Sequence, residues 1–175
     1  PGFAGLVLIY VILTIIRDFR DNFVVEFWDE LGYAGQPELI TLTEIPVAII
    51  VLVIAALGVL ISSNRRAFNA GIYLTLACGA LILMTTLLFR QQLVSPVYWM
   101  IGTGIGVYLP YILFHCLIFE RLIALLRFSG NVGFLFYVAD ALGYTGSVSV
   151  LLLKEFGGFQ VTWVNFFIWP SPFWP

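Results

Sequence analysis

Two groups of ionisable side chains interrupt the apolar segments of this sequence. The first lies in LTIIRDFRDNF, where Arg17, Asp18, Arg20 and Asp21 directly follow an apolar run. The second is a single residue, Asp140, in the middle of NVGFLFYVADALGYTGSVSVLLL. Arginines can bind anionic groups, whereas carboxylates can bind cations or carry protons. These five side chains are therefore the first candidates for chemistry.

Asp140 lies on a regular stripe of small and phenolic residues. Successive members are four, three, four and three residues apart, so the stripe falls on one face of a helix. A carboxylate inside a membrane segment is by default a proton carrier or a cation ligand. The alternative is a structural pair with Arg17 or Arg20 on another helix. The stripe consists of Gly133, Tyr137, Asp140, Tyr144 and Ser147.

The charged motif has two interpretations, which depend on its depth. On a helix, Arg17, Arg20 and Asp21 fall within one third of the circumference, and Arg17 and Asp21 form an i,i+4 pair. Asp18 and Asn22 lie on an adjacent face. Either the helix enters water here, with Arg17 reaching the headgroups, or the charges face a protein-lined cavity. Four charges facing lipid would cost on the order of 10 kcal/mol unless they were paired or hydrated.

Two further polar residues lie inside apolar segments. His115, the only histidine, shares a helix face with Tyr108 and Tyr111, and no second ligand follows at metal spacing. We interpret it as a hydrogen-bonded packing residue, with membership of a proton relay as the alternative. Glu44 follows Thr41 at the spacing of a capping box, which predicts a helix start. A position facing a cavity is the alternative for Glu44.

Composition indicates a membrane protein. The chain is 61% hydrophobic and 10% charged, with a mean hydropathy of +1.02, whereas soluble domains carry roughly 25% charged residues. A net charge of −2 without a basic cluster argues against nucleic acid as a partner. Cys78 and Cys116 lie in apolar runs and are predicted to be packing residues. We find no catalytic constellation, and therefore predict no enzyme activity, metal site or cofactor.

The apolar segments predict an all-α, polytopic membrane domain that covers residues 1–175. About 20 apolar residues cross a bilayer as a helix, and these runs are continuous rather than alternating as in barrel strands. The first segment is long enough only if its helix continues through the charged motif. The six predicted spans are residues 3–24, 39–62, 67–89, 93–119, 128–153 and 156–175.

Small residues in the fourth span predict close helix packing. Gly102, Gly104 and Gly106 do not fit a nucleotide-binding glycine motif, because no strand or soluble βαβ unit surrounds them. In a membrane helix, glycines let a neighbouring helix approach closely. Pro110 is expected to kink this helix or to free a backbone carbonyl.

Arginines in the predicted loops favour one orientation. The loops after the second and fourth spans hold four arginines, and the opposite loops hold Arg90 and Lys154 with an acidic stretch. The positive-inside rule places the arginine-rich side in the cytoplasm. Both ends of the sequence are then expected there, and we expect the sequence to be a fragment. The four arginines are Arg65, Arg66, Arg121 and Arg127.

The pattern resembles the C-terminal six-helix half of a major facilitator superfamily transporter. The short basic loop SSNRRAFNAG stands where that family carries a basic signature, with Asn64 near the place of the family's acid. TIIRDFRDNF and ERLIALLRFSGNVGFLFYVADALGYTGSV are also similar to segments of an uncharacterised bacterial family related to these transporters. The resemblance implies a bacterial cytoplasmic membrane protein.

The resemblance also implies secondary active transport of a small solute, with proton coupling and a missing N-terminal half as partner. Transport would occur by alternating access between the two halves in the lipid bilayer. The alternative is a non-transporting assembly or sensory protein whose buried ion pairs hold helices together. The expected pathway residues are Arg17, Asp18, Arg20, Asp21, Asp140, Tyr137, Tyr144 and His115.

Overall fold

The computed structural model describes residues 2–126, 132–156 and 164, and these residues form helices and short connections. Helices α5 and α6 are joined without a break by one π-helical turn, Phe114–Ile118. The elements are α1 (Gly2–Asn22), α2 (Val24–Glu30), α3 (Glu38–Val59), α4 (Asn64–Arg90), α5 (Pro96–Leu113), α6 (Phe119–Leu126) and α7 (Val132–Phe156).

Helix α1 continues through the charged motif and ends at Asn22. Its 21 residues span about 30 Å at ~1.5 Å per residue, which matches the hydrocarbon thickness of a bilayer. The predicted continuation is therefore confirmed, and the predicted end is two residues too late. After a break at Phe23, α2 packs Phe27 and Trp28 against Trp99 at the start of α5.

Four helical segments of the described residues are long and apolar enough to cross a membrane: Glu38–Val59, Asn64–Arg90, Pro96–Leu125 and Gly133–Leu153. Large apolar side chains cover their outer faces; Leu52 is 65% exposed and Leu83 is 66% exposed. Exposed apolar surface of this extent is unfavourable in water and favourable against lipid. The architecture is that of a helical integral membrane protein.

Helix α5 is buried between α3 and α4, and its glycines make this packing possible. A Cβ atom on Gly102 would lie 2.5 Å from Thr85 Cγ2, and one on Gly106 would lie 2.4 Å from Ile82 Cγ1. Any larger residue at these positions would push α4 away. The prediction of close helix contact at these glycines is confirmed.

The long helices alternate in direction, so that α1 and α7 run parallel. Three contacts show this register: Tyr10 meets Asp140, Thr14 meets Gly143, and Asp18 meets Ser147.

The described arginines of the two predicted loops, Arg65, Arg66 and Arg121, lie at one end of the bundle, but they belong to helices α4 and α6 rather than to loops. Arg121 Nη1 donates to Asn64 Oδ1 at 2.6 Å, and this bond joins the fourth helical segment to the start of α4. Arg127 lies outside the described residues.

Several predicted boundaries require correction. The fourth helix begins at Pro96 and continues to Leu126, because the π turn carries it past the predicted end at residue 119. Helix α3 begins at Glu38 after Pro37, so Thr41 does not cap it and the capping-box prediction is wrong. Proline has a fixed φ that suits the start of a helix. The predicted span 156–175 lies almost entirely outside the described residues, and Phe156 belongs to α7.

Candidate functional site

Polar side chains of α1 meet α3, α5 and α7 at three successive levels. The lowest level is the inner triad, which we define as Tyr10, His115 and Asp140. Tyr10 lies roughly 12 Å from one end of α1 and 18 Å from the other, at ~1.5 Å per residue. The inner triad is therefore near the middle of a helix whose length matches the hydrocarbon core of a bilayer.

The inner triad joins three helices through one hydroxyl group. Tyr10 Oη donates to Asp140 Oδ1 and lies 3.2 Å from His115 Nε2. His115 Nε2 and Asp140 Oδ1 are 4.0 Å apart, and their side chains are 31% and 29% exposed, whereas Tyr10 is fully buried. A buried hydroxyl thus connects two ionisable groups that remain accessible.

Hydrogen positions in the inner triad follow from its partners. His115 Nδ1 lies 3.0 Å from the Tyr111 carbonyl oxygen, which can only accept, so Nδ1 carries a hydrogen. A neutral His115 then offers Nε2 as an acceptor. The single hydrogen of Tyr10 would face two acceptors, and one contact would not be a hydrogen bond. Both contacts are satisfied when the inner triad holds one additional proton, on His115 or on Asp140.

Helix irregularity and ring stacking position His115. The residue lies within the π-helical turn Phe114–Ile118, and such turns are frequent at functional sites. Its ring stacks on Phe136 of α7, with centroids 5.0 Å apart and planes 5° apart. The Tyr111 ring contacts it from the preceding turn at 4.5 Å. His115 is therefore fixed against both α5 and α7.

At the second level, Arg17 and Asp18 of α1 form an ion pair that lies beside α7. Arg17 Nε donates to Asp18 Oδ1 at 3.0 Å, and Nη2 donates to the same oxygen. Ser147 Oγ of α7 donates to Asp18 Oδ2 at 2.8 Å. The Arg17 guanidinium also lies 4.0 Å from the centroid of the Tyr111 ring and 3.5 Å from Tyr144 Oη. The guanidinium of Arg17 is therefore paired with the carboxylate of Asp18, its neighbour on α1.

The predicted i,i+4 pair between Arg17 and Asp21 does not form. Arg17 turns toward α7 and its neighbour Asp18, whereas Asp21 accepts a hydrogen bond from Tyr108 Oη of α5. Asp21 is thus hydrogen-bonded to a tyrosine of the facing helix rather than to Arg17.

A cavity of about 360 Å³ opens between α1 and α7 at this level. Arg17, Asp18 and Asp21 line it from α1, and Tyr144 and Ser147 line it from α7. Ligand pockets in proteins usually have volumes of roughly 300–1,000 Å³. The cavity therefore has room for a small organic molecule.

At the third level, Arg20 is enclosed by acceptors. The residue is 1% exposed, and its Nη2 donates to Glu44 Oε1 at 2.6 Å. Its guanidinium also donates to Tyr108 Oη at 3.0 Å and to the Met100 carbonyl oxygen at 3.2 Å. Glu44, whose side chain is 33% exposed, is therefore the counter-charge of a buried arginine.

Most of the predicted pathway residues meet along the polar side of α1. Asp140 contacts Tyr10 and His115, and its alternative pairing with Arg17 or Arg20 is absent from the described contacts. Tyr137 lies apart, because it is 78% exposed on α7. The residues brought to the three levels are Arg17, Asp18, Arg20, Asp21, His115, Asp140 and Tyr144.

Tyr10 was not among the pathway residues predicted from the sequence. Its signal is a lone phenol in GLVLIYVILTII, seven residues before Arg17 and therefore on nearly the same helix face. No group of three or more His, Cys, Asp or Glu side chains within the described residues is suited to a metal ion.

Comparison with known proteins gives a family. The family model DUF5690, a family of unknown function, matches residues 1–173. The chain belongs to this family. Searches of curated proteins and of solved structures found no match. For this DUF5690 protein, a proposal about function therefore depends on the geometry of the site.

Proposed function

We propose that this protein is part of a proton-coupled secondary transporter in a bacterial cytoplasmic membrane, with its arginine-rich end in the cytoplasm. The observation that carries the proposal is the inner triad, in which one buried hydroxyl joins two accessible ionisable groups on different helices. Ionisable groups inside membrane segments commonly belong to proton relays. The resemblance to major facilitator transporters supplies the expected partner, an N-terminal six-helix half.

The inner triad can hold its additional proton in two ways. In one, His115 Nε2 carries the proton and donates to Tyr10 Oη, which donates to Asp140. In the other, Asp140 carries the proton and donates to Tyr10 Oη, which donates to Nε2. Exchange between the two moves one proton from histidine to aspartate through the hydroxyl. Release of this proton leaves one contact without a hydrogen, which favours separation of α1 from α5 or α7.

Tyr111 connects this proton site to the cavity. Its ring stacks on Tyr10 with centroids 5.7 Å apart, and the Arg17 guanidinium lies 4.0 Å from its centroid. A shift of Tyr10 or His115 would therefore move the Tyr111 ring, against which the cavity-lining guanidinium of Arg17 packs. Such a contact supports coupling between the protonation of the inner triad and the binding of a solute between α1 and α7.

The test uses the full-length protein in liposomes that contain a pH-sensitive dye. Small amines and small carboxylates are added outside, and we expect one class to cause a change in internal pH. Asp140→Asn should reduce this change about a hundredfold, in the range typical of a lost proton-transfer group. The amide still accepts from Tyr10, but it cannot carry the proton. Asp29→Asn, an exposed change on α2 outside the cavity, is the control. Unchanged proton movement in Asp140→Asn would contradict the proposal.

The competing function is a non-transporting membrane assembly or sensory protein with structural ion pairs. Arg20 favours it, because a guanidinium that is 1% exposed and bound by Glu44, Tyr108 and Met100 has a structural environment. The two functions predict different effects of the substitution Asp140→Asn. Loss of proton movement in a folded protein supports transport, whereas loss of folding supports a structural role.

A further inference from the structure

We infer that the cavity between α1 and α7 selects a small organic cation with an apolar body. This inference rests on the proposed transport function and names the class of solute. It differs from the expectation that the arginines would bind an anionic group. The charges, the walls and the surroundings of the cavity each support it.

Both arginines near the cavity are neutralised by carboxylates. Arg17 is bonded to Asp18, and Arg20 is bonded to Glu44 and is buried. Asp21 is exposed to the cavity, and its described partner is the neutral hydroxyl of Tyr108. Arg17 and Arg20 also attract Asp21 electrostatically. Two arginines nevertheless face the three carboxylates Asp18, Asp21 and Glu44, so this group of side chains has one negative charge in excess. A ligand with one positive charge would complete the charge balance.

The walls of the cavity suit the rest of an organic cation. Phe19 of α1 and Phe23, at the break between α1 and α2, line it on one side, and Val148 and Leu151 of α7 line it on the other. Aromatic faces attract ammonium groups, while aliphatic side chains bury an apolar body. A volume of about 360 Å³ limits the ligand to a small molecule.

Charge at this end of the bundle favours the approach of cations. Acidic residues exceed basic residues there, mainly in α2 and at the start of α3. The opposite end carries mainly arginines. A negative end raises the local concentration of cations at the mouth of the cavity. The additional acidic residues are Glu26, Asp29, Glu30, Glu38 and Glu155, and the additional basic residues are Arg90 and Lys154.

A matched pair of probes tests the sign of the charge. Phenethylammonium and hydrocinnamate share a phenyl ring and a short chain and differ in the sign of their charge. Each is titrated by calorimetry into the full-length protein in lipid nanodiscs. We expect binding of phenethylammonium at least about tenfold tighter than binding of hydrocinnamate, a difference of one charged contact. Equal binding, tighter binding of hydrocinnamate, or no binding of either probe would overturn the inference.

Variants locate the binding site. Asp21→Asn should weaken phenethylammonium binding roughly tenfold, since it removes the counter-charge. Glu120→Gln, an exposed change on α6 at the opposite end of the bundle and outside the cavity lining, should leave the affinity unchanged. Unchanged binding in Asp21→Asn would place the cation elsewhere and overturn the inference. If Asp21→Asn does not fold, the comparison of the two probes on the unchanged protein still decides the sign of the charge.

Failure of this inference is distinguishable from failure of the transport proposal. Nanodisc binding requires no transport. Phenethylammonium binding without proton movement would keep the cation site and contradict transport. Proton movement driven by carboxylates alone would keep transport and overturn the cation site.

Discussion

Arg17 and Arg20 are neighbours on α1, but their surroundings are opposite. Arg20 is 1% exposed and bonded to Glu44, Tyr108 and the Met100 carbonyl. The Arg17 side chain is 12% exposed, pairs with its neighbour Asp18, and lines a cavity. Arg20 links α1 to α3 and α5, whereas Arg17 borders the cavity between α1 and α7.

The difference separates charges that hold the bundle together from charges that a ligand can reach. An enclosed ion pair depends on both partners, because the loss of one leaves the other without compensation. A pair beside a cavity keeps some access to water or solute, so its removal changes binding more than folding. This distinction predicts how substitutions at the two sites divide between stability and activity.

The largest expected effect is at Arg20. Arg20→Met should lower the free energy of unfolding by about 3 kcal/mol, at the low end for a broken buried pair, because Glu44 keeps part of its exposure. The double variant Arg20→Met/Glu44→Leu should recover most of the loss. Thermal and denaturant unfolding in detergent measure both. Unchanged stability of Arg20→Met would show that the pair has no structural role, and a double variant no more stable than Arg20→Met would show that the unpaired Glu44 is not the cause of the loss.

The next effect is at Gly104, which packs against the same arginine. A Cβ atom there would lie 2.9 Å from Val47 Cγ2 and 3.0 Å from Arg20 Nη2. Arg20 cannot move without loss of its bonds, so Gly104→Ala should destabilise the protein by about 1–3 kcal/mol. Gly79→Ala is the matched control on α4, since a Cβ there meets nothing within 4 Å. A fall in melting temperature of the same size in both variants would refute the packing argument.

A smaller effect on stability is expected at Tyr10. Tyr10→Phe removes the hydroxyl that joins His115 to Asp140 and should cost about 1–2 kcal/mol, the usual range for a lost buried hydrogen bond. It should also interrupt proton movement in liposomes. Tyr73→Phe, at a residue 70% exposed on α4, is the control for loss of a phenol. Full proton movement in Tyr10→Phe would exclude the hydroxyl from the relay.

The smallest effect is expected at Ser147. Ser147→Ala removes the 2.8 Å hydrogen bond to Asp18 and should cost about 0.5–1.5 kcal/mol. Ser149→Ala is the control, because Ser149 Oγ bonds to the Thr145 carbonyl within α7. The difference between the two unfolding free energies isolates the contact between α1 and α7. No difference would show that Asp18 finds an equivalent partner.

Features that depend on one helix at a time were predicted well from the sequence. Apolar length predicted the long helices, and the continuation of α1 followed from the shortness of residues 3–16. The glycines of α5 predicted close packing, because a residue without a side chain lets any neighbouring helix approach closely. The position of Arg65, Arg66 and Arg121 at one end followed from alternation of helix direction.

Pairings between helices were predicted poorly, because they depend on helix rotation. Spacing suggested Arg17 with Asp21, but the facing helices offer Asp21 a tyrosine and leave Arg17 to Asp18. Glu44 was assigned to a helix start, since the sequence gives no sign that Arg20 lies beside it. Only the assembled bundle brings Tyr10, His115 and Asp140 together.

The most direct test compares Asp140→Asn with Arg20→Met/Glu44→Leu in both unfolding and liposome assays. We predict that Asp140→Asn keeps its melting temperature and loses solute-dependent proton movement. The double variant should keep most of its stability and also its proton movement. The account would be contradicted if Asp140→Asn moved protons at the normal rate, or if the double variant unfolded normally but moved none.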